Sequence, residues 1–141
     1  MGDQTPRPYA LRASEGWTYF AGIDFTVKAG ELGTGRRAAV LQYTTRAGEE
    51  PPDHTHDTED EIFYVLRGAL TFRCGGESFD VEDGAFVFLP RGMEHGYAIR
   101  SDGDVTLLVV TTPPQDGATD GWGGFIGDIE SEGELRSSPT A

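Results

Sequence analysis

Apolar residues recur along this chain in short runs, most of them alternating with polar positions, and the runs are separated by Gly, Pro and Asp. Alternation with a period of two places one side of a strand on a core and the other in water. Runs rich in Val, Phe, Tyr and Thr, spaced in this way, are the pattern of sandwiches and barrels. Strands are predicted at 17–28, 36–44, 54–57, 61–66, 69–74, 77–80, 85–89, 96–100 and 104–112. Gly75 and Gly76 mark a hairpin turn between two of them, and no segment before Pro113 carries a helical period. The predicted fold class is all-β, a set of antiparallel hairpins closing into a single jelly-roll barrel.

A chain of 141 residues is one domain with room for a real core. Residues 1–8 are polar and contain proline, and 130–141 are acidic and small, so both ends are predicted to be disordered. The barrel and a C-terminal aromatic segment then occupy 9–129. In that segment Trp122, Phe125 and Ile126 stand among loop residues and need cover. They cover the barrel or a dimer partner, or they form a lid over a pocket.

Charge narrows the partners. Eleven Lys and Arg against 24 Asp and Glu leave a net charge of -13, which repels phosphates and argues against nucleic acid or an anionic membrane surface. No apolar stretch approaches the roughly 18 residues of a membrane span, and the polar start is not that of a signal peptide. A cytoplasmic protein is expected. Cys74 is the only cysteine, so no internal disulfide holds the fold, and its place at a strand end suits a passive residue better than a nucleophile.

Three histidines carry the candidate chemistry. His54 and His56, two apart, can offer imidazole nitrogens from one face of a strand. His95 arrives from a distant hairpin aimed by the rigid Pro90 and the flexible Gly92. Glu61 opens the apolar run that follows the first pair. Three imidazoles and a carboxylate suit a divalent transition metal (Fe, Mn, Ni, Co or Zn) better than Ca or Mg. Residue type alone leaves the carboxylate open, because Asp53, Asp57, Glu59 and Asp60 crowd the same loop. Alternation from Glu61 turns Phe63 and Val65 inward, and alternation from His95 turns Tyr97 and Ile99 inward. The resulting pocket is apolar and aromatic, suited to a flat small molecule more than to a sugar phosphate, since no Arg or Lys cluster lies beside it.

The spacing itself is distinctive. Gly48, five residues, His54-Thr55-His56, four residues, Glu61, six residues and Gly68 form one block, and Gly84, five residues, Pro90-Arg91-Gly92, two residues and His95 form another. These blocks resemble the two motifs of the cupin superfamily, and the strand-rich flanks from about 17 to 112 fit a single cupin barrel. The resemblance selects Glu61 as the fourth ligand with His54, His56 and His95, and leaves the other acids as a solvated loop. Ile99 stands where the second motif usually ends in Asn, which leaves the metal in place and makes the pocket wall more apolar. The chain resembles the small flavonol (quercetin) 2,3-dioxygenase-like cupins. That likeness implies a metal-dependent oxygenase acting on a phenolic or enolisable small molecule with dioxygen, Glu61 serving as general base. A non-redox cyclase, aromatase or isomerase in which Glu61 or Tyr97 moves protons is the second possibility, and a binding or sensing module the third. Small cupins commonly pair, and the run from Trp17 to Val27 offers an aromatic edge strand for a homodimer.

Overall fold

The computed structural model describes residues 6–112 and 124–139. Among them the strands are β1 (Trp17–Ala21), β2 (Ile23–Ala29), β3 (Val40–Thr45), β4 (Glu61–Arg67), β5 (Leu70–Cys74), β6 (Glu77–Val81), β7 (Phe86–Leu89), β8 (His95–Ile99), β9 (Val105–Thr111) and β10 (Glu134–Ser137). A single irregular turn, α1 (Glu31–Thr34), follows β2, and one longer helix, α2 (Gly124–Glu132), precedes β10. The strands form two antiparallel sheets. The larger has the order β10-β1-β2-β3-β9-β4-β7 and the smaller β6-β5-β8. This is the predicted all-β jelly-roll architecture.

Alternation decides which side chains fill the space between the sheets. In β9, Val105, Leu107 and Val109 are buried while their neighbours are half-exposed. Phe63 and Val65 of β4 pair with Val109 and Leu107, and Leu70 and Phe72 of β5 face them from the smaller sheet with no exposed surface. One end of this interior is polar, because Glu61, opposite Thr111 in the β4–β9 register, and His95, at the start of β8, are both buried.

Three features differ from the sequence reading. The run 17–28 is two strands, folded back at Gly22 with Ala21 opposite Ile23. A hairpin reversing about one residue keeps the odd-numbered side chains in phase on both arms, so the alternation carries no trace of the turn. Gly22 allows it with φ of 85°. The run 54–57 is not a strand but one antiparallel bridge, His54 opposite His95, since Pro51 and Pro52 lack the amides that would extend a ladder. The acidic end carries regular structure among the described residues. Ile126 and Ile129 of α2 are buried against the core, and β10 pairs with β1, Tyr19 opposite Leu135. Both faces of β10 are exposed. Its pairing rests on backbone hydrogen bonds and on the Arg136 guanidinium over the Phe20 ring, 4.8 Å from the centroid, neither of which leaves an alternating apolar signal in the sequence.

That pairing removes the edge on which a homodimer was expected, because β1 now has β2 on one side and β10 on the other. Among the described strands the larger sheet ends on β10 and β7, and on the β7 edge Phe86 and Phe88 are 62% and 49% exposed beside Tyr64 and Ile62 of β4. Residues 1–5 and Trp122 lie outside the described residues, and residues 6–8 have no regular structure. Among the described residues no helix is long and apolar enough to cross a membrane.

Candidate metal centre

Four side chains from three places in the chain converge at the polar end of the interior. His54 and His56 come from the loop before β4, Glu61 from the first residue of β4, and His95 from the first residue of β8. The bridge between the His54 and His95 backbones, with hydrogen bonds of 3.0 and 2.9 Å, fixes the first ligand against the last. Gly92 donates to the His56 carbonyl at 2.8 Å and holds the second. Glu50 anchors the start of this loop by accepting the Ile99 amide at 3.1 Å.

The donor atoms of the four residues all lie within 4.8 Å of one another. Donors about 2.1 Å from one ion are at most about 4.2 Å apart, so one ion needs a contraction of well under 1 Å. Glu61 Oε2 lies 3.2 Å from His56 Nε2, and Glu61 Oε1 lies 3.6 Å from His95 Nε2. Glu61 Oε2 and His95 Nε2 are nevertheless buried without a hydrogen-bond partner. Such atoms cost stability unless something else satisfies them, and a cation between them would. His54 donates from Nδ1 to the Pro52 carbonyl at 3.0 Å, leaving Nε2 as the donor to an ion. The residues present therefore fit a divalent transition ion.

The surrounding electrostatics are uneven. Contact with the Glu61 carboxylate raises the His56 pKa, with burial acting against it. Burial lowers that of His95. Both rings must be neutral to ligate, so ion uptake displaces any proton held on His56.

The neighbouring acids sort by their partners. Asp53 pairs with Arg73 at 2.7 Å, Asp57 is exposed, and Asp60 accepts three hydrogen bonds from Arg91, which hold its carboxyl below the usual range. Glu59 departs from the expected solvated loop. It is 3% exposed, lies 3.3 Å from His56 Nδ1 and accepts the Phe125 amide at 2.8 Å. Burial raises its pKa. It thus joins a ligand's outer nitrogen to the N-terminus of α2, where unpaired amides favour an anion. Gly124, at φ +82°, is small enough for this approach, since a Cβ there would sit 2.0 Å from Glu59 Oε2.

A cavity of about 280 Å3 opens onto His54, His56 and Glu61, walled by Tyr43, Phe63, Tyr97 and Phe125, with Asp128 of α2 also lining it. Phe63 and Tyr97 are where alternation places them. Val65 and Ile99, expected on the same wall, are buried but do not line the cavity. Each lies four residues along its strand from a ligand, about 13 Å at 3.3 Å per residue, and so falls in the core beneath. Alternation gives the face and not the depth. Tyr43, Glu59 and Asp128 were missed. Tyr43 shares a 2.8 Å hydrogen bond with Tyr97, and burial holds both phenols protonated, Tyr43 well above its ordinary pKa. Phe125 packs edge-on against Phe25 and Tyr43 and lines the pocket. Cys74 is buried with a raised pKa, caused first by burial, as a passive thiol would be.

A family model described as the cupin domain matches residues 42–111. The quercetin 2,3-dioxygenase of Bacillus subtilis is 28% identical over 108 residues, covering 76% of this chain and 32% of that protein. A probable oxidoreductase, yanE, of Aspergillus niger is 33% identical over 98 residues, covering 62% of this chain and 38% of that one. The chain thus spans about a third of the length of these relatives. Among solved structures, a predicted oxalate decarboxylase from Thermotoga maritima superposes with a TM-score of 0.63 at 20% identity, covering 73% of this chain and 97% of the other. At that identity the likeness concerns the fold.

Proposed function

The chain belongs to the cupin family, and from that premise we propose that it is a metal-dependent oxygenase acting on a small phenolic or enolisable compound. One observation carries the reading: a cluster of three imidazoles and a carboxylate borders a cavity that is otherwise mostly apolar and aromatic. Among the described residues no Lys or Arg lines that cavity, which disfavours small dianions such as dicarboxylates and phosphates. The dioxygenase relative supports oxygen chemistry, and its partial coverage leaves substrate and reaction open to test.

A divalent ion held by His54, His56, Glu61 and His95 would polarise substrate oxygens and, if redox-active, mediate electron transfer to dioxygen. The chain's own groups do the rest. In this reading Glu61, on releasing the ion, takes a proton from a substrate hydroxyl and holds it while the enolate forms. The Tyr97 hydroxyl, supported by Tyr43, presents a fixed hydrogen bond at the cavity wall. Phe63 and Phe125 exclude water from the space between.

A second reading draws on the Tyr43–Tyr97 pair, which suits proton movement without oxygen: a cyclase or isomerase in which Tyr97 or Glu61 shuttles a proton. Protein purified without a histidine tag should carry near-stoichiometric transition metal that is lost in the His54→Ala/His95→Ala double variant. The metal-loaded protein should then consume oxygen with an enol or catechol substrate. Turnover that persists without oxygen selects the second reading, and metal-loaded, folded protein that consumes no oxygen with any such compound refutes the first.

A further inference from the structure

A second cavity of about 400 Å3 lies against the first. Tyr43, Pro51, Tyr97 and Phe125 line both, so the two spaces share one wall. Beyond it the second cavity is bounded by Ala21, Ile23 and Phe25 of the β1–β2 hairpin, and it does not touch the four-residue cluster.

Size, polarity and charge bear together on what this space takes. Ligand sites usually measure about 300–1,000 Å3. The metal cavity alone, at about 280 Å3, falls just below that range, and its neighbour brings the combined space inside it. Ile23 and Phe125 are only partly buried, so apolar surface beside the site stays open to water. Covering such surface is favourable in proportion to its area. Among the described lining residues the acids are Glu49, Glu61 and Asp128, with no Lys or Arg to offset them. Away from the ion, an anionic group on the substrate is therefore disfavoured.

We propose that the second cavity is a subsite for the apolar end of a neutral substrate whose oxygens face the His54, His56, Glu61 and His95 cluster, with Ile23 and Phe25 as specificity-determining residues. The proposal rests on the reading of that cluster as a metal centre. Tyr43, Pro51, Tyr97 and Phe125 form the boundary that a ligand spanning both spaces would follow. The metal ligands then choose the reacting oxygens, and the hairpin chooses what is attached to them.

The test uses zinc-loaded protein, its zinc stoichiometry measured first, and two probes titrated calorimetrically: 3-hydroxypyran-4-one bearing a methyl or a phenyl group at carbon 2. Burial of the added ring predicts a Kd about tenfold or more tighter for the phenyl probe. Ile23→Trp fills the second cavity from one side. Ala21→Phe fills it from the exposed rim and serves if the first variant folds poorly, with thermal melting as the control for both. In each folded variant the ratio of the two Kd values should fall toward one. Equal affinities in the wild type, or a preference for phenyl that survives both variants, would overturn the proposal. Failure of both probes to bind zinc-loaded protein overturns it too, while the zinc stoichiometry reports separately on the metal centre.

Discussion

Replacing Glu59 by Gln separates ligand support from structural support. In the native chain the Glu59 carboxylate lies 3.3 Å from the outer nitrogen of His56 and 2.8 Å from the Phe125 amide, at 3% exposure. Glutamine keeps an oxygen for the Phe125 amide, so α2 can stay docked, but the negative charge facing His56 is lost. A carboxylate in this position orients a metal-bound imidazole and increases its basicity, and removing it typically weakens metal binding about 10- to 100-fold, equivalent to about 1.4–2.7 kcal/mol. The metal-free protein should not suffer in parallel, because burial disfavours the ionised form of Glu59 and the amide form avoids that cost. The assay is a zinc competition titration against a chromophoric chelator at neutral pH, beside thermal melting of the metal-free protein. Unchanged zinc affinity would refute the reasoning. So would a large drop in metal-free melting temperature, which would show that Glu59 acts mainly by holding the fold.

Three further outcomes are expected. Zinc at one hundred times its Kd should stabilise the wild type by about 2.7 kcal/mol, raising Tm by roughly 5–11 °C for a domain of this size, with no shift in His54→Ala/His95→Ala, as scanning calorimetry would record. Glu50 has its pKa lowered, first by the Ile99 amide bond, so its contribution is present above the unfolded carboxylate pKa and is lost as pH falls through the lower folded value. Glu50→Gln should therefore lower Tm at pH 7, and the difference should shrink below about pH 4; a constant difference across that range would refute the assignment. Light scattering at micromolar concentration should give a homodimeric mass that Phe86→Lys/Phe88→Lys reduces to a monomer. A monomeric wild type would remove the exposed β7 edge as an interface.

Most of the barrel and the three candidate histidines were legible in the sequence for a shared physical reason, whereas Glu61 was singled out from its acidic neighbours only by the family resemblance. Strands with one wet face write their orientation as alternation, and metal ligands must recur as specific residue types at specific offsets. What escaped obeys neither constraint. The Gly22 reversal preserves parity. The β10 pairing is made by backbone groups and one guanidinium–ring contact between residues far apart in the chain, with no alternating apolar pattern to mark it. Glu59 looks like its neighbours Asp57 and Asp60 until packing buries it, and Asp128 reaches the cavity only because α2 folds back over it. Val65 and Ile99 show the converse, since a correct face at the wrong depth is still the core.

The division of labour around the cavities bears on how such a site can change over time. The four metal-facing residues fall between His54 and His95, whereas the surfaces proposed to select the substrate come mostly from Ala21, Ile23, Phe25, Tyr43 and Phe125, outside that interval. Substitutions in the hairpin can therefore alter what enters without disturbing what holds the ion, whereas α2 touches both, through the Phe125 amide on Glu59. On that layout a lineage could exchange one substrate for another through its hairpin while its metal ligands stay intact.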